Sequence, residues 1–102
     1  FEVGRTEWLR TRGVTYVDLM ARGVHLPVIS TEASFLRPVA YDDMIEIMTA
    51  LTDSSGVRLA FAYELRRENH PETLARARTE HAAVDEGGRP RRFPEDIRRL
   101  LK

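Results

Sequence analysis

Three kinds of side chain in this 102-residue chain could carry chemistry: paired carboxylates, three histidines and clustered arginines. Asp42 and Asp43 are adjacent, but neighbouring residues entering a strand point to opposite faces and cannot share one substrate atom. A turn and strand-entry role is expected for them. His25 stands in a connection beside Leu26-Pro27 and is expected to be exposed, and His70 lies in an Asn-His-Pro turn where solvation is expected. His81 shares one strand face with Ala75, Ala77, Thr79 and Ala83, so it is expected to be a core histidine satisfied by a hydrogen bond. No pair of these histidines has metal-ligand spacing, and no carboxylate cluster completes a site. With no Cys in the chain, disulfides, thiolate metal sites and a thiol nucleophile are excluded.

Those residues need elements to hold them. Phe1, Gly4, Trp8 and Leu9 recur at helical spacing, so the chain reads as an amphipathic helix from its first residue, with Glu2 and Arg5 as an i,i+3 pair. A helix already under way at residue 1 predicts a longer natural polypeptide. Gly13 closes this helix, Thr15 caps a short one over Tyr16 to Ala21, and Gly23 ends it. Gly4 is expected to lie against the small-residue face of Ala75, Ala77 and Ala83.

Four strands follow. The first runs from Leu26 to Phe35, and Pro38 breaks it because proline cannot donate to a central ladder. Met44 to Thr52 forms the second, and Asp53-Ser54-Ser55-Gly56 turns the chain. From Val57 to Arg66 apolar Val57, Leu59, Phe61, Tyr63 and Leu65 alternate with Arg58, Ala60, Ala62, Glu64 and Arg66, which describes a sheet with two unlike faces. Leu74 to Val84 makes the fourth strand, Asp85-Glu86-Gly87-Gly88 turns again, and Pro94 starts a terminal helix at its first position. The expected architecture is α+β: helices, then four antiparallel strands joined by hairpins, then a helix, with the sheet wrapped around the long helix.

Sixteen basic residues, all but Lys102 arginine, balance sixteen acidic ones, so no global field draws the chain to nucleic acid. No apolar run approaches the ~20 residues that cross a bilayer. A cytoplasmic protein without membrane insertion is the expectation.

Glu2-x-x-Arg5-Thr6-Glu7-x-Leu9-Arg10, Leu36-x-Pro38-Val39-x-x-Asp42-Asp43-x-Ile45-Glu46-Ile47, Val84-Asp85 and Arg89-Pro90-Arg91 ahead of Pro94, in this order, resemble the hot-dog-fold acyl-CoA thioesterases. The 4-hydroxybenzoyl-CoA thioesterase group and its Tol-Pal-associated branch are the most similar. The resemblance covers essentially the whole chain. It implies hydrolysis of acyl-CoA, no cofactor, and a homodimer or homotetramer with sheets joined edge to edge. It also implies a catalytic Asp in a loop ahead of the helix, whose first N–H groups polarise the thioester carbonyl. That loop and the first strand are absent from this sequence, so the expected protein is about 25 to 30 residues longer by the resemblance, and the domain at 1–102 is N-terminally incomplete. Glu2 matches a family position and is the catalytic candidate within the chain. Arg58, Arg91 and Arg92 fall where the resemblance places contacts to the CoA phosphates, while Arg98 and Arg99 read as a solvated pair. A non-catalytic hot-dog module that binds acyl groups or a protein partner is the competing class, and a hot-dog dehydratase a weaker third.

Overall fold

The structure, a computed structural model, describes residues 1–38, 44–68 and 72–101. Asp42, Asp43 and His70 lie outside the described residues. The elements are α1 (Glu2–Thr11), α2 (Tyr16–Ala21), β1 (Val28–Phe35), β2 (Ile45–Ser54), β3 (Arg58–Arg67), β4 (Thr73–Ala82) and α3 (Glu95–Leu100).

Both early helices stop by the same device. Gly13 and Gly23 take φ of 80° and 76°. The next residue then donates back across the turn, Val14 to the Leu9 carbonyl at 2.9 Å and Val24 to the Leu19 carbonyl at 2.8 Å. Six-to-one closures of this kind satisfy carbonyls that the helix end would leave free. All four of those apolar residues are buried, so each helix end is pinned into the core as it is capped. Thr15 accepts from the Asp18 N–H at 3.1 Å and caps α2, an interaction worth about 1 kcal/mol. Pro94 is the N-cap of α3 rather than its first helical residue.

The sheet is antiparallel with strand order β1-β4-β3-β2. Hairpins join β2 to β3 and β3 to β4, but β1 pairs with β4, with Ala33 opposite Ala77 and Thr31 opposite Thr79. The expectation that hairpins join all four strands is therefore corrected. The chain leaves β1 at one edge of the sheet and returns as β2 at the other. A tight hairpin uses roughly two to five residues, and the Pro38-containing connection is longer than that. β4 also ends at Ala82, sooner than the sequence suggested; Val84 instead bridges to His25 and Pro90.

Register sets the two faces. Leu59, Phe61, Tyr63 and Leu65 of β3 lie beside His81, Thr79, Ala77 and Ala75 of β4 and meet the helices. On the other face Glu64 takes Arg66 at 2.6 Å and Arg76 at 3.3 Å, a solvated charge ladder. α1 lies over β3 and β2: the Phe1 ring is 5.0 Å from Tyr63, and Trp8 meets Phe61 edge-on at 5.5 Å. Leu9, Val24, Phe93, Ile97 and Leu101 complete a core over Ala77 and Ala83. Full burial of one such leucine is worth about 1.5–3 kcal/mol. The architecture is that of the expected hot-dog fold, an antiparallel sheet wrapped on a helix.

Gly4 is not where the sequence put it. A Cβ on Gly4 would collide with Thr49 Oγ1 and come within 3.2 Å of an Ile47 methyl, so its neighbours are on β2, not Ala75, Ala77 and Ala83 of β4. The reason is the crossing of the helix. Its aromatic residues cover β3, which turns the Gly4 side toward the edge strand.

Candidate functional site

Under the first half of α1 the core is polar. Arg5 Nη1 donates to Tyr63 Oη at 3.2 Å, and Tyr63 Oη lies 2.8 Å from Thr79 Oγ1. Thr79 Oγ1 is 2.9 Å from His81 Nε2, and His81 Nδ1 is 3.4 Å from the Leu26 carbonyl. Burial lowers the Arg5 pKa, but the neighbouring phenols of Tyr63 and Tyr16 outweigh it and the net shift is upward. Phe61 closes the far side of the imidazole edge-on at 5.8 Å. Burial pushes the His81 pKa down and the Arg5 charge pushes the same way, while the Leu26 carbonyl pulls upward. His81 is thus the satisfied core histidine the pattern implied. Arg5, however, turns inward to the Tyr63 phenol, so the expected Glu2–Arg5 ion pair does not form, and Glu2 stays exposed in the first turn.

His25 departs from expectation. It is half-buried because its backbone bridges Val84 in both directions, at 2.9 and 3.0 Å, and its Nε2 has no hydrogen-bond partner among the described residues.

The arginines divide. Arg92 is exposed, with its guanidinium lying over Gly56, and the Phe93 N–H fixes that approach by donating to the Gly56 carbonyl at 2.9 Å. Arg58 is exposed two residues on, where its carbonyl accepts from Ser55 at 2.9 Å. Both therefore stand at the β2–β3 turn. Arg91 turns elsewhere and donates through Nη1 to the Gly23 carbonyl at 3.0 Å, which ties the end of α2 to the segment after β4. The arginines of α3 come to the same turn as Arg58 and Arg92. A hollow of about 300 Å³ is lined by Ser54, Ser55, Gly56, Glu95, Arg98 and Arg99. Arg99 is engaged by Glu95 at 2.9 Å, whereas Arg98 is half-buried and its Nε has no partner among the described residues. Guanidinium groups beside serine hydroxyls offer donors suited to phosphate oxygens.

No group of three or more His, Asp or Glu among the described residues could hold a metal ion, and no helix there is long and apolar enough to cross a membrane.

With this geometry in view, similarity to known proteins is decisive. The family model of the thioesterase-like superfamily matches residues 1–101. The chain belongs to the thioesterase-like superfamily. An Aquifex aeolicus protein provisionally named an esterase is 28% identical over the whole chain and 77% of its own length. The acyl-CoA thioester hydrolase YbgC of Escherichia coli is 34% identical over 65 residues, covering 64% of this chain and 48% of YbgC. Among solved structures, the Thermus thermophilus protein TT1821 is 35% identical and superimposes with a TM-score of 0.88 over 98% of this chain and 75% of its own. In this superfamily setting Glu2, Arg5 and the aromatic residues of α1 belong to the helix that the sheet wraps. The Arg5–Tyr63–Thr79–His81 line escaped the sequence reading. Its visible trace was a tyrosine in an otherwise aliphatic and phenylalanine row, with two polar residues spaced i,i+2 on the buried face of β4.

Proposed function

We propose that this chain hydrolyses acyl-CoA thioesters to the free acid and CoA. The observation that carries the reading is the thioesterase-like family match along residues 1–101 on a hot-dog fold. Resemblance to an acyl-CoA thioester hydrolase supports the substrate class. In this reading the thioester carbonyl faces the first turn of α1, and the attacking carboxylate comes from the loop that the family resemblance places ahead of Phe1; Glu2 is the carboxylate nearest that turn in sequence. Such a group activates water, or attacks the carbonyl itself and expels the CoA thiolate to give a mixed anhydride that water then cleaves.

The reading further assigns the CoA phosphates to Arg58, Arg91 and Arg92. Arg58 and Arg92 flank the β2–β3 turn, and Arg91 holds Gly23 from the same run. The assembly proposed is a homodimer or homotetramer acting in the cytoplasm. Supporting it is an open β1 edge on which Val28, Ile29 and Phe35 are exposed, since unpaired edge strands invite pairing. Release of free thiol from a panel of acyl-CoA substrates by the purified protein tests the activity. Absence of turnover across short, long and aromatic acyl groups would leave a binding module instead.

A further inference from the structure

One direction satisfies every hydrogen bond beneath α1. Arginine has no acceptor, so Arg5 donates to Tyr63 Oη, and the phenol turns its own hydrogen to Thr79. At the other end the Leu26 carbonyl only accepts, so His81 Nδ1 carries the imidazole proton. His81 Nε2 is then a bare acceptor and takes the Thr79 hydrogen. Reasoning from either end gives the same order: Arg5 to Tyr63 to Thr79 to His81 to Leu26. Tyr63, Thr79 and His81 are at most 3% exposed, so bulk water does not replace a lost partner. The line joins α1, β3, β4 and the segment between α2 and β1.

We infer that His81 is a positioning residue, locked as the neutral Nδ1–H tautomer, which holds Arg5 and the first turns of α1 on the sheet, and that one proton on Nε2 dismantles the lock. A protonated imidazole donates from both nitrogens. Thr79 must then accept from His81 and turn its hydrogen to Tyr63. Tyr63 already accepts from Arg5, so its own O–H is left buried without an acceptor. A second cation also appears within reach of the Arg5 charge. The groups facing His81 reinforce this: α1 contributes Arg5, β3 contributes Tyr63 and Phe61, and β4 contributes Thr79, with Tyr16 of α2 near Arg5. None of them is a carboxylate that would welcome the proton. The bearing on catalysis rests on the thioesterase reading, in which the first turn of α1 faces the thioester.

Nitrogen-15 NMR of the imidazole in the intact wild-type protein reads the tautomer directly. The Nδ1–H form, with proton uptake below the ordinary value of about 6.5, is expected. An Nε2–H tautomer overturns the lock, whether or not any variant folds. Arg5→Gln removes the cation and offers an amide oxygen to the Tyr63 O–H, so the reversed line is satisfied and its His81 should take up the proton at a higher pH; an unshifted titration overturns the coupling. In the acyl-CoA assay the acid limb of wild-type kcat should fall at the His81 titration while KM holds, and it should not stay there in Arg5→Gln. An acid limb that stays in place as the NMR titration moves would refute the positioning role. If wild type shows no hydrolysis, the thioesterase reading fails and the NMR result still decides the lock.

Discussion

Gly4 of α1 stands directly over Thr49 of β2, so closely that a single methyl on the glycine would run into the Thr49 hydroxyl. Glycine within a helix costs up to about 1 kcal/mol relative to alanine, and the close approach is the packing reason for that cost. Gly4→Ala should therefore destabilise, because overpacking of about 1–3 kcal/mol exceeds the gain in propensity. Thr49 Oγ1 is buried without a partner among the described residues, so Thr49→Ala should be nearly neutral. The double variant should then regain the helix propensity and melt at or above wild type. Additive losses in thermal melts would show that Gly4 does not depend on Thr49.

How far the sequence led can be judged at particular residues. The alternation from Val57 to Arg66 identified β3 and its two faces because side-chain direction in a strand is a local property. Thr15, Gly13 and Gly23 marked helix ends for the same reason. The order of strands was not legible, since pairing of Ala33 with Ala77 is a choice between edges made in three dimensions. Nor was the partner of Gly4, which depends on the angle at which α1 crosses the sheet. The line from Arg5 to His81 needs a helix residue and a tyrosine 58 positions apart to meet, and periodicity carries no signal for that. The arginines show the boundary most sharply. Residue type marked Arg91 and Arg92 alike, yet one binds a carbonyl and the other lies over a turn.

Arg22 and Asp96 fasten α3 to the end of α2 through two hydrogen bonds of 2.8 Å. The guanidinium holds the Asp96 carboxyl at about 2, against the smaller opposing effect of burial. The folded value lies below the unfolded one of ~3.9, so the pair's contribution is fully present above pH ~4 and is lost as pH falls toward 2. Carbon-detected NMR of the carboxyl should show titration near 2 in wild type and a return toward the ordinary value in Arg22→Gln. Titration at the ordinary value in wild type would mean that the pair does not persist in solution.

Assembly is a separate expectation. Among the described residues β1 pairs with β4 along one side only, and Phe35 at its end is 72% exposed. Large apolar side chains on an open edge favour pairing with a second copy. Light scattering at micromolar concentration should give at least a dimer, and Phe35→Lys should shift the distribution toward monomer. A wild-type monomer would count against an edge-to-edge assembly.

The last expectation separates substrate binding from chemistry. If Arg58, Arg91 and Arg92 hold the CoA phosphates, they touch the same groups in ground and transition states. Removing such uniform binding raises KM and leaves kcat near its original value. Salt should imitate the mutations, because exposed charges are screened over about 10 Å at 0.1 M. The single variants should also differ. Arg58→Ala and Arg92→Ala, at the β2–β3 turn, should raise KM without lowering the melting temperature. Arg91→Ala should lower the melting temperature as well, because it leaves the half-buried Gly23 carbonyl without its donor, at a cost of about 1–3 kcal/mol. Steady-state hydrolysis of a short acyl-CoA by the triple Arg→Ala variant makes the comparison. A KM that matches wild type, at low salt, would leave Arg58 and Arg92 as a solvated rim and Arg91 as a strut between α2 and the segment after β4.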